Sequence, residues 1–252
     1  MFKKLRVALL LSVLIVVIAN AYRDGNQNWD RVVYVGLYPI NADGSATTQA
    51  YIEQLTPQDF KVIDSYMAEQ SKQFGRPVKM YYRLGEPVAK KPPAVPRNGT
   101  ITDAIIWSLK FRYYAYKNRP KDTAKPSLTL FLQYYDPSNP VLTHTSTALQ
   151  NGRIGVVNLF ATPKKADTNN VVIAHESLHG FGATDKYNLS DGQPLYPQGF
   201  AEPNKSPPYP QKYAALMAVH IPISPNQYKM PKGLEQTQIN RFTAKEIGWL
   251  DD

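Results

Sequence analysis

Val171–Tyr187 reads VVIAHESLHGFGATDKY, and the rest of the chain is organised around this stretch. His175 and His179 stand four residues apart, so on a helix both imidazoles leave one face, a turn apart. Such a pair can grip a single cation. Val171, Val172, Ile173, Ala174, Leu178 and Phe181 supply an apolar side that buries the helix while the histidines face a cleft. Asp167, Thr168, Asn169 and Asn170 offer capping side chains where such a helix should begin.

Glu176 follows the first histidine directly, which makes the pattern His-Glu-x-x-His, the zinc hydrolase signature. Zinc accepts neutral imidazole nitrogen and leaves one of four positions to water in a catalytic site, and the glutamate can serve as general base to that water. The chain has only four histidines, so a chance match is expected in roughly two of a thousand such chains. The structural alternative is a buried helix with two hydrogen-bonded histidines.

Gly180 and Gly182 can stop the helix, and the chain can then swing Asp185 back toward the metal. Asp185 could instead cap the turn that follows. Read through, His175-Glu176-x-x-His179-x-x-Gly182-x-x-Asp185 resembles the elongated metzincin consensus, with aspartate where most members carry a third histidine, as in the snapalysin-like metalloproteases. Ala214-Ala215-Leu216-Met217-Ala218, whose methionine lies about 38 residues beyond His179, resembles the methionine turn beneath the metal of that family. The resemblance implies zinc held by His175, His179 and Asp185, with Glu176 as base and Gly182 and Met217 as structural neighbours. It also implies an edge strand near Thr143–Arg153 that pairs with extended substrate. His220 is the rival third ligand or a donor to the tetrahedral oxyanion, a role for which Tyr187, Tyr213 and Tyr228 are further candidates. His144 has no companion at ligand spacing and is not expected to bind metal.

The first 21 residues have another purpose. Lys3, Lys4 and Arg6 precede an apolar run, Val7–Ala19, broken only by Ser12, and Ala19-Asn20-Ala21 suits signal peptidase. The segment is expected to be either a cleaved signal peptide or an N-terminal anchor that associates residues 7–21 with membrane, with Tyr22 and Trp29 able to sit at the interface. Either way the domain is expected outside the cytoplasm, in the periplasm or extracellular space or tethered to the envelope. Without cysteine there is no disulfide framework, so metal ligands must be His, Asp or Glu. The formal charge of +9 falls to +6 without the three cations before residue 7. Lys90-Lys91 and Lys164-Lys165 are the only basic doublets after them, so nucleic acid is not an expected partner.

Residues 22–252 suit one domain, divided at about residue 181 into an N-terminal subdomain from about residue 30 and a smaller irregular C-terminal one. Strands are expected over Arg31–Ile40, Val78–Leu84, Ser127–Tyr135 and Gly152–Phe160. A helix is expected over Thr56–Phe74, with Thr56 as cap and Pro57 at its first position. A second covers Thr100–Asn118, carrying Ile105, Ile106, Trp107, Leu109, Tyr113 and Tyr116 as core or as a face against another element. Glu86–Arg97 holds four prolines and reads as an extended connection. Thr243-Ala244-Lys245-Glu246 reads as a capping box opening a last short helix, with Trp249 and Leu250 packing the tail. The fold expected is α+β and zincin-like, a twisted mixed sheet with backing helices and a metal helix below it. The function expected is hydrolysis of a peptide or protein substrate by a zinc metallopeptidase. A zinc amidase, and a zinc-binding envelope protein that recognises a peptide or peptidoglycan without cutting it, are the alternatives.

Overall fold

The computed structural model describes residues 25–96, 99–118, 126–138, 146–149 and 153–251, with scattered positions between 6 and 22. Its frame is a twisted five-stranded mixed sheet. The strands are β1 (Val33–Asn41), β2 (Met80–Leu84), β3 (Leu128–Tyr135), β4 (Thr147–Leu149) and β5 (Ile154–Phe160), in the order β2-β1-β3-β5-β4. All pairings are parallel except that of β4, which runs antiparallel on β5. Helices α1 (Ala46–Gln54) and α2 (Lys61–Lys72) connect β1 to β2, α3 (Ile101–Asn118) connects β2 to β3, and α4 (Ala166–Gly180) follows β5.

Side-chain alternation sorts the two faces. Leu128, Leu130, Leu132 and Tyr134 of β3 join the larger core with Ile63 and Met67 of α2 and Ile173, Ala174 and Leu178 of α4. Phe131, between them, points to the other side, where it meets Trp107, Phe111, Tyr114 and Ala115 of α3 together with Tyr38, Ile40 and Val156. Both faces of the central strands are therefore covered, which is why β1 and β3 are apolar at nearly every position. The chain leaves β1 for β2 in one direction and returns past β1 to β3 in the other. Keeping both crossovers right-handed requires their helices on opposite faces, so α3 sits alone across the sheet from α4.

Local chemistry explains most of the boundaries. Thr56 opens the Pro57–Phe60 turn with a reciprocal capping box to Asp59, and α2 continues from it. Helix α1 is unforeseen by the sequence reading: its Thr-Thr-Gln-rich segment buries only Thr48 and Ile52, too little for an apolar period, and it is held by the Ser45 cap. The capping side chains expected before the metal helix have other partners. Helix α4 starts earlier, at Ala166, out of a Pro163–Lys165 turn, and its cap position Lys165 makes no side-chain capping bond. Asn169, inside the helix, donates to Phe160 O and accepts from Phe160 N, while Asn170 donates to Asp59 O. These two amides pin the start of α4 to the end of β5 and to the turn before α2.

Three further expectations are corrected. The last helix, α5 (Arg241–Glu246), is capped by Asn240, whose side chain accepts from Thr243 N, so Thr243 lies within the helix and not at its cap. Trp29 is not an interface residue. It is buried against Phe181 and Trp249 and donates to Ile247 O, which ties the start of the domain to its end. In α3, of the six apolar residues expected to pack, only Trp107 is buried; Ile105, Ile106, Leu109, Tyr113 and Tyr116 are exposed. His144 and most of residues 1–21 lie outside the described residues. Among the described residues no helix is long and apolar enough to cross a membrane.

Because Asn169 satisfies both backbone groups of Phe160, Asn169→Ala is expected to destabilise the domain by about 2 kcal/mol. Urea unfolding monitored by tryptophan fluorescence measures it.

Candidate metal centre

Helix α4 delivers His175 and His179 one turn apart, with ring centroids 4.6 Å apart and planes at 86°. Each ring is oriented through its Nδ1. That of His175 lies 3.1 Å from Leu216 O and that of His179 lies 2.7 Å from Ala183 O. A carbonyl can only accept, so both Nδ1 atoms carry the proton and both Nε2 atoms of the neutral rings present lone pairs. Those two Nε2 atoms are 3.0 Å apart. Asp185 Oδ1 lies 3.3 Å from the first and 3.1 Å from the second.

Three electron-pair donors thus form a nearly equilateral triangle with no proton between them. Ligands at about 2.0–2.1 Å in a tetrahedral sphere stand about 3.3 Å apart, so the triangle suits a small cation. The donors of His175, Glu176 and His179 also gather within 4.8 Å of one another. Asp185 Oδ1 is closer than that to both imidazoles, which makes it the carboxylate with the geometry of a third ligand. The residues present could hold a metal ion.

Electrostatics agree with a site that seeks positive charge. Burial opposes a charged ring at His179, but the Asp185 carboxylate, which accepts a hydrogen bond once the ring is protonated, and the charges of Glu176 and Asp185 outweigh it and hold the imidazole above its ordinary value. Burial would likewise raise Asp185, yet hydrogen bonds and charge from His175 and His179 keep its carboxyl far below the usual range. Glu176 differs: burial dominates and raises it, with both histidines pulling the other way. Its Oε2 is buried and has no hydrogen-bond partner among the described residues.

The loop after α4 brings Asp185 home. Gly182 takes φ +104°, open to glycine and strained for other residues, and Ala183 N closes the helix end onto Leu178 O. The residues flanking Asp185 are then clamped by the last helix. Glu246 accepts from Thr184 N at 2.9 Å and Thr184 Oγ1 at 2.8 Å, and Lys186 Nζ sits 2.6 and 2.7 Å from its two oxygens. Lys186 N also donates to Met217 O. Met217 is fully buried in the short turn Leu216–Ala218, between β6 (Ala214–Ala215) and β7 (Ile221–Ser224), and the same turn supplies the carbonyl that orients His175. Val219 ends it with φ +64°, a strained value for a β-branched residue, fixed by its N–H on Ala215 O and Leu216 O.

The other candidate residues fall into two places. Tyr187 hydrogen-bonds Asp185, and its hydroxyl is pushed up to about 12 by burial and then by the charges of Asp185 and Glu176. His220 stands beyond it, 6.5 Å from the Tyr187 ring and 4.0 Å from that of Tyr228. Its Nδ1 is 2.8 Å from Gly192 O, and Tyr228 donates to Asp191 O, so this histidine belongs to a wall built with the 191–192 turn and not to the converging donors. A Cβ at Gly192 would lie 2.9 Å from the Tyr228 hydroxyl, which explains a glycine there. Tyr213 is paired instead with Lys212, whose ammonium lies 4.9 Å from its ring.

Sequence reasoning missed Lys186, Glu246 and the carbonyls of Leu216 and Ala183. Main-chain acceptors leave no compositional trace, and Glu246 lies 62 residues from Thr184 in a segment that already reads as a capping box. No protein-family model and no curated protein matches the chain. Among solved structures it matches a chain described as "Structure of a chaperone-substrate complex", at 14% identity with a TM-score of 0.36. The match covers 82% of this chain, which spans only 31% of that one.

Since Glu246 holds both neighbours of Asp185, Glu246→Ala is expected to weaken metal binding about 10- to 100-fold while the α4 pair stays in place. Chelator competition measures the affinity, and circular dichroism checks that the fold is kept.

Proposed function

We propose that the chain is a zinc-dependent endopeptidase of metzincin type, with His175, His179 and Asp185 as ligands and Glu176 as general base. The observation that carries this reading is the unpartnered carboxylate. Glu176 Oε2 is buried beside a cation-seeking triangle with nothing to bond among the described residues. Burying such a group costs about 1–3 kcal/mol or more, a cost that makes sense where a working state supplies the partner. A protein that merely stored zinc would gain by pairing or replacing that side chain.

Zinc suits two imidazoles and a carboxylate, and when bound it supplies Lewis acidity and lowers the pKa of a water from 15.7 toward about 7. The protein's own groups do the rest. Glu176, raised by burial, takes the proton of the attacking water and returns it to the leaving amine, a two-way transfer for which an elevated carboxylate is suited. Tyr187 could meet a carbonyl oxygen as charge develops there by exchanging its hydrogen bond to Asp185, whereas Tyr228 and the neutral His220 already give their protons to Asp191 O and Gly192 O. The edge strand β4 lies antiparallel on β5 within the segment where a substrate-pairing edge is expected, and α4 packs against both. An extended peptide added along β4 would pair with the edge of the sheet that the metal helix packs against.

The metzincin type is supported by three features together: Asp185 arriving after a positive-φ glycine, Met217 buried in the turn whose Leu216 carbonyl orients His175, and a helix-backed mixed sheet ahead of both. The basic-then-apolar segment before residue 22 supports action outside the cytoplasm, as a secreted or envelope-tethered enzyme.

Glu176→Gln is expected to keep stoichiometric zinc and lose at least about a hundredfold in peptide cleavage, whereas His175→Ala loses both. Elemental analysis and turnover of a fluorogenic peptide library, with and without chelator, check this. Undiminished cleavage by Glu176→Gln would remove the general-base assignment, and tight zinc with no cleavage by the wild type would make the protein a binding module.

A further inference from the structure

Helix α3 has two apolar faces and only one is packed. Trp107, Phe111, Tyr114 and Ala115 face the sheet. Ile101, Ile105, Ile106, Leu109, Tyr113 and Tyr116 are 45–83% exposed. At about 100° per residue these six occupy one continuous arc of roughly 140°, centred opposite the buried side. Singly exposed apolar residues are ordinary, but a stripe running the length of an 18-residue helix is not.

The charge carried by this part of the sequence points to what covers the stripe. Residues 88–125 carry nine Lys and Arg against two Asp, a net +7 out of +9 for the whole chain. On the helix itself Lys110 and Lys117 flank one edge of the arc and Arg112 lies just inside the other, with Asp103 engaged at the N-terminus by Thr100. Isoleucine and leucine in the middle, tyrosines toward one end and cations along the borders are the make-up of a helix lying in a bilayer interface, where stems snorkel and ammonium groups meet phosphate. A second copy of the chain, paired through the same face, would set Lys110, Arg112 and Lys117 against the same cations, which disfavours self-association. The helix carries four charged residues and no spanning helix exists among the described residues, so it lies on the surface and does not cross.

We propose that α3 docks the domain flat on an anionic phospholipid surface, through Ile105, Leu109 and Tyr113 inserted at headgroup depth and Lys110, Arg112 and Lys117 paired with lipid phosphate. Because α3 and α4 lie on opposite sides of the sheet, the docked domain keeps its metal-binding side turned away from the lipid. This contact is separate from any association through residues 7–21 and does not rest on the enzymatic reading.

The absence of cysteine makes the test direct, since one introduced thiol is the only one in the full chain. Leu109→Cys carries a polarity-sensitive dye, and Lys72→Cys, exposed at the end of α2 across the sheet, carries the same dye as control. The expected result is a blue shift at position 109 and none at position 72 on vesicles of mixed phosphatidylglycerol and phosphatidylcholine. Phosphatidylcholine alone gives no shift, and added salt reverses it. Lys110→Glu with Lys117→Glu should weaken this binding about tenfold or more. A protein that sediments with the vesicles while the label at 109 stays in water would be held by its N-terminal segment, and the proposal would fall. A shift that needs no vesicles and grows with protein concentration would show that a second copy covers the stripe, and would overturn it too.

Discussion

The site depends on two hydrogen bonds that never touch its contents. By donating Nδ1–H to Leu216 O and Ala183 O, the two histidines are fixed in the tautomer that turns both Nε2 lone pairs toward each other at 3.0 Å. Nothing neutral relieves that arrangement. With the Asp185 carboxylate closing the triangle, a positive charge does, and the raised affinity of His179 for a proton expresses the same demand. Both carbonyls come from outside α4, so the tautomers are set by tertiary structure and exist only when the loop after the helix and the Met217 turn are in place.

That requirement explains the division of labour along the chain. The N-terminal part provides a rigid support: a sheet covered on both faces, with α4 pinned at its start by Asn169 and Asn170. The part beyond Gly182 has little regular structure, yet it supplies Asp185, the Leu216 carbonyl and the Lys186–Glu246 clamp. The tail is also secured to the front of the domain, with Trp29 wedged against Trp249 and bonded to Ile247 O next to Glu246. Loss of the last helix would therefore be felt at the third donor of the site, some sixty residues earlier in sequence.

What could be read from sequence follows the range of the interactions. The two histidines and Glu176 were legible because a helix converts fixed spacing into fixed geometry, and the central strands because burial on both sides makes them continuously apolar. Helix α1 was not, since it buries two residues and rests on a serine cap. The cap of α5 was misassigned because Thr243-x-x-Glu246 fits a local pattern whose glutamate is engaged elsewhere, and a pairing across 62 residues has no sequence period. Trp29 was misplaced for a related reason: an aromatic close to an apolar segment looks interfacial until its distant partner Trp249 is known.

Helix α3 shows the limit of periodicity from the other side. Its apolar residues cover more of the circumference than one buried stripe needs, and sequence alone cannot say which arc meets the sheet. The crossover rule fixes the face of the sheet, and the packing fixes the arc. A right-handed connection from β2 back to β3 places α3 opposite α4, and Trp107 and Phe111 fill the space over Phe131. The remaining arc then has no protein against it among the described residues, within the most basic part of the chain. One topological constraint thus gives the sheet a side whose residues could hold a cation and a side where an apolar arc stands clear of the described residues.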